Sequence, residues 1–140
     1  MRFVLTLDMA RVTTVRTVVV VGLLVVGGGF LAIGFPSSEG GKTYENRTIK
    51  IVDGESGQVH AMVDVRVADT PEKRYTGLSD TPELDSSEGM LFEYSKSDSR
   101  AFVMRDMNYA LDIVYINANN TITRIHHAPV ESQDSDLTRY

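Results

Sequence analysis

The chain has 140 residues with 14 basic and 19 acidic side chains, a net charge of -5, and no cysteine. That length holds one small domain once a membrane-like first quarter is set aside, which excludes a multidomain enzyme. The missing thiols exclude disulfide staples, cysteine-ligated zinc or iron–sulfur centres and a cysteine nucleophile.

Residues 1–36 carry Arg2, Arg11 and Arg16 against the single acid Asp8, so the other 104 residues hold 18 acids and 11 bases, a net of -7. An acidic surface of this kind repels phosphate backbones, which argues against nucleic-acid binding. Together with ten Arg against four Lys it would suit a high-salt environment as well as an ordinary acidic domain.

From Thr17 to Phe35 run nineteen residues without a charge. As a helix at about 1.5 Å per residue they reach roughly 28 Å, the thickness of a bilayer's hydrocarbon. Gly27, Gly28 and Gly29 would weaken such a helix in water but are tolerated in lipid. The arginines precede the run and the acids follow it, so the positive-inside rule places the N-terminus in the cytoplasm and the rest outside. A single-pass signal anchor is therefore expected over residues 1–36, with a cleaved signal peptide ending near Ala32-Ile33-Gly34 as the alternative. The triplets Asn46-Arg47-Thr48 and Asn119-Asn120-Thr121 are glycosylation acceptors in an exported chain.

Pro36 to Lys42 is small, polar and glycine-containing, and a flexible tether is expected over residues 37–47 before a folded unit at 48–140. Thr48–Val52 and Gln58–Ala68 read as a hairpin about Asp53–Gly57, with Val59, Ala61, Val63, Val65 and Val67 on one face and Gln58, His60, Met62, Asp64 and Arg66 on the other. Thr70 is placed to cap a helix that starts at Pro71 and ends near Gly77. Ser79–Glu88 is a loop by composition, followed by strand-like runs at Gly89–Tyr94, Arg100–Met104 and Leu111–Ile116. The last turns through Asn117–Asn120 into Thr121–His127, where asparagine suits the left-handed turn conformation.

Val67-Ala68-Asp69-Thr70-Pro71-Glu72-Lys73-Arg74-Tyr75-Thr76-Gly77-Leu78, Glu88-Gly89-Met90-Leu91-Phe92, Phe102-Val103-Met104-Arg105 and Leu111-Asp112-Ile113-Val114-Tyr115-Ile116 together resemble the ACR family, a domain of unknown function. The resemblance implies an α+β, mainly β fold: an antiparallel, partly barrel-like sheet with one or two short helices, here preceded by one transmembrane helix. It implies no established activity, and an exported or membrane-anchored place in bacteria and archaea. The family often has tryptophan where this chain has Val103, and its pattern continues with a further strand block beyond the position of Tyr140. The resemblance therefore leads one to expect an incomplete sheet with an open edge.

Asp112 interrupts an apolar strand, so its carboxylate needs a partner, with Arg105, Arg100 and Arg124 as candidates. His126 and His127 are adjacent and point to opposite faces of a strand. A metal site from His60, one of that pair and Asp112 is disfavoured against ordinary strand histidines, and Met90, Met104 and Met107 read as core filling rather than a copper site. No cofactor motif occurs after residue 36. The residues singled out for binding or ion pairing are Met104, Arg105, Asp112 and His126, in a module that takes an envelope ligand or protein. The alternative is an envelope hydrolase of glycan or peptide that uses Asp112, with Arg105 or His126 assisting.

Overall fold

A computed structural model describes residues 2–7, 18–19, 43–96, 98–132 and 136–140. Its strands are β1 (Arg2–Leu7), β2 (Val18–Val19), β3 (Glu45–Asp53), β4 (Val59–Ala68), β5 (Glu88–Tyr94), β6 (Leu111–Ile116) and β7 (Ile122–Ala128), with one helix, α1 (Pro71–Thr76). They form one open sheet in the order β2-β3-β4-β5-β1-β6-β7. The fold is mainly β with one short helix, as the family resemblance implies, but the sheet does not close into a barrel.

Antiparallel pairing dominates, with one exception: β4 and β5 are parallel. Parallel neighbours need a crossover, and α1 with the loop after it supplies one. Thr70 caps the helix by accepting the Lys73 N–H on its hydroxyl, and Pro71 occupies the first turn, where a missing N–H costs nothing. The β3–β4 turn is fastened by Asp53, whose Oδ1 accepts the Glu55 and Ser56 N–H groups and the Ser56 hydroxyl. These bonds, the backbone bond from Ser56 first, hold the Asp53 carboxyl below its ordinary pKa. Between β6 and β7, Asn117 Oδ1 accepts the Asn119 and Thr121 N–H groups while Asn120 takes a left-handed φ of 59°.

Side-chain alternation divides the core in two. Val63, Val65, Val67, Leu91, Val114 and Ile116 fill one face, and Ala68, Met90, Phe92, Leu111, Ile113 and Ala128 belong to the other cluster with Met104 and Met107. The expected inner face of β4 is thus buried from Val63 to Val67, while Val59, at the strand's start, is half exposed. All three methionines singled out are core residues.

One expectation is corrected. Arg100–Met104 is a loop: Phe102 and Tyr140 exchange two N–H to O bonds of 3.2 and 3.0 Å, but no strand ladder extends from that pair. Tyr140 also packs on the cluster of Phe92 and Ile113. β1 takes an interior position, antiparallel to both neighbours, with Leu5 opposite Leu91 on one side and Val114 on the other.

The apolar run Thr17–Phe35 lies outside the described residues except for the backbone of Val18–Val19, which pairs with β3. Among the described residues no helix is long and apolar enough to cross a membrane. A strand that pairs with β5 and β6 and a cytoplasmic N-terminus ahead of a spanning helix are mutually exclusive in one molecule at one time.

Candidate functional site

The face of β5 and β6 that carries Phe92, Leu111 and Ile113 is roofed by α1 and by the loop 100–107, and a cavity of about 220 Å³ remains between them. Leu78, Phe92, Phe102, Met104, Leu111 and Ile113 line it. Local chemistry sets its walls. Gly77, at φ 55° and ψ -130°, ends the helix and turns the chain close over the Phe92 ring, where a Cβ would meet Cζ at 3.4 Å. Asp106, at φ 56°, makes a sharp turn between the lining residues Arg105 and Met107.

The two walls are strapped together by polar contacts. Arg105 Nη2 donates to the Tyr75 carbonyl at 2.7 Å, and its guanidinium lies 4.3 Å from the Tyr75 ring centroid. Ser79 Oγ donates to the Arg105 carbonyl at 2.8 Å. Toward the tail, the Tyr115 hydroxyl lies 2.8 Å from the main-chain oxygen of Tyr140 and 3.0 Å from that of Arg100. Burial, with Tyr94 nearby, pushes the Tyr115 hydroxyl above its usual pKa.

A second hollow, of about 390 Å³, adjoins the first and shares Arg74 and Tyr94 with it. Here the guanidiniums of Arg74 and Arg100 lie 4.9 and 4.5 Å from the centroid of one ring, Tyr94. Both arginines favour the tyrosinate, yet burial outweighs them and raises the Tyr94 pKa. The acids in this hollow are already committed: Asp69 to Lys73 at 2.7 Å, and Glu93 to Arg47.

The four residues singled out from sequence do not converge. Met104 and Arg105 line the cavity, but Asp112, between Leu111 and Ile113 on β6, faces the other side of the sheet. Its partner is not an arginine. His127, directly opposite on β7, places Nδ1 2.5 Å from Asp112 Oδ1, because cross-strand register puts the pair side by side. His126 points the other way, with its ring 5.9 Å from both Tyr115 and Tyr140. Opposite faces were expected for the two histidines, and the structure has them. Among the described residues no group of three His, Asp or Glu side chains is placed to hold a metal.

Arg74 and Tyr94 were not singled out from sequence, and Arg100 was named there only as a candidate partner of Asp112. Their only signal there is local: Tyr94 continues the Met90–Phe92 alternation, but its arginines come from a helix and a loop.

A family model described as an uncharacterised ACR, Domain of Unknown Function 192, matches residues 51–140, more than half of the chain. The chain belongs to the ACR family. The match takes in both walls of the cavity, the Asp112–His127 pair and the Tyr140 tail, but not β1 or β2. No curated protein and no solved structure matches the chain significantly.

Proposed function

We propose that this ACR domain is a non-catalytic binding module, tethered to a membrane by the uncharged run Thr17–Phe35 and exposed on the outer face of the cell. The observation that carries the binding role is the cavity under the 100–107 loop. Its base is apolar, with Phe92, Met104, Leu111 and Ile113, its walls bear Arg74 and Arg105, and a hydrogen-bonded strap ties Arg105 to Tyr75 and Ser79, a mixed lining able to seat a small ligand. The tether is supported by the length of the run and the arginine bias ahead of it. In the spanning state, Arg2–Leu7 lies across the membrane from the sheet and leaves its place between β5 and β6.

Protease added to intact cells tests the location: the domain is digested from outside, and protection until lysis overturns it. Line broadening or shifts of the Met104 and Met107 methyl signals on addition of small apolar compounds test the cavity. A second reading, hydrolysis of a glycan or peptide, draws on Asp112 and His127, since a buried carboxylate that orients an exposed imidazole can serve a general base. His127→Gln would abolish such an activity and would leave ligand binding in the cavity intact.

A further inference from the structure

We infer that the ligand of the cavity is a small organic anion, a carboxylate on an apolar body the size of one ring or a short branched chain. This rests on the binding role proposed above and names the chemistry it serves. The apolar body is set by the cavity itself, whose volume of about 220 Å³ lies below the range typical of drug-sized ligands. The charge is set by the lining.

The cavity wall carries two arginines, Arg74 and Arg105, and no acid. The adjoining hollow adds Arg100, and its own acids, Asp69 and Glu93, are neutralised by Lys73 and Arg47. Positive charge is thus concentrated where the acidic surplus of the domain would least lead one to expect it. Asp98 and Asp106 form ion pairs with Arg100 and Arg105 at 3.6 Å, but both carboxylates lie largely in solvent and outside the lining of either hollow, where screening leaves such pairs weak.

The geometry leaves donors available for an anion. Arg74 gives one N–H to the Glu93 carbonyl, at 2.7 Å, and a guanidinium has five. Arg74 and Arg100 approach the same ring, so two cations are held near each other without a carboxylate shared between them. Such a pair suits a planar, bidentate acceptor, and the partly buried setting strengthens the bond to a charged group. An anionic head at Tyr94, with its body reaching past Phe92 toward Met104, joins the two hollows through the residues they share.

The test uses the full-length chain and two probes of equal shape, cyclohexanecarboxylate and cyclohexylmethanol, followed through the Met104 and Met107 methyl signals. The carboxylate should bind at least about tenfold more tightly than the alcohol. Arg100→Gln, at an exposed position, should weaken the carboxylate about tenfold and change the alcohol less than about twofold; Arg74→Gln should act in the same direction. Inorganic phosphate alone should leave the methionine methyls unmoved. Equal affinities for acid and alcohol, or an acid indifferent to both arginine variants, would overturn the anionic ligand while the binding cavity stands. If neither probe moves the methionine signals, it is the binding role itself that fails.

Discussion

His127 Nδ1 lies 2.5 Å from Asp112 Oδ1, joining a side chain that is 63% exposed to one that is 3% exposed. The buried member depends on the exposed one, because a carboxylate taken out of water needs a hydrogen-bond donor. His127→Ala should therefore destabilise the fold by about 1–3 kcal/mol, although the residue removed is a surface one. Urea titration checks this, and a loss under about 0.5 kcal/mol would show that solvent replaces the imidazole. In a double-mutant cycle with Asp112→Asn, the two changes should be less than additive.

Gly77 is the backbone position on which the cavity wall depends. Its φ of 55° with ψ of -130° is a conformation that side chains resist, while an added Cβ would only touch the Phe92 ring at 3.4 Å. Gly77→Ala should cost about 1–3 kcal/mol in urea titration. A neutral result would mean that the α1 terminus relaxes without loss.

The tail is fastened by Glu131, whose carboxylate accepts the Thr138 N–H at 2.8 Å and the Tyr140 hydroxyl at 2.9 Å. Those contacts, the Thr138 backbone bond first, lower the Glu131 pKa from its ordinary 4.5. A depressed carboxyl pKa contributes stability that is present above the unfolded value and lost as pH falls through the folded one. Protection of the Thr138 and Tyr140 amides, taken relative to their intrinsic exchange rate at each pH, should therefore fall on acidification below the ordinary glutamate range. Glu131→Gln should remove that pH dependence; protection that stays constant in the unaltered chain would refute the fastening.

Because the chain has no cysteine, a cross-link between two introduced thiols reports strand pairing without background. Leu5 and Val114 are directly opposite in the β1–β6 register. With Leu5→Cys and Val114→Cys in one chain, oxidation should bridge them wherever β1 is in the sheet. Molecules whose domain is digested by external protease should carry no bridge. Bridged molecules that are membrane-bound and digested from outside would place the N-terminus with the domain and overturn the arginine-based topology.

Local chemistry by itself determined the hairpin strands, the Thr70–Pro71 helix start, the turn at Asn117–Asn120 and the opposite faces of His126 and His127, since each follows from a few neighbouring residues. It also marked Asp112 as a carboxylate in need of a partner. Which partner answers it, His127 rather than an arginine, was decided by the register of β6 against β7, a relation between segments that no local pattern contains. The same holds for the cavity: Arg74 comes from a helix, Tyr94 from a strand and Arg100 from a loop, and only the packing of all three onto one face brings two cations to one ring. The loop over 100–104 and the interior place of β1 are tertiary outcomes for a related reason. β-like residues specify a strand that is ready to pair, while neighbours distant in sequence decide whether and where it does.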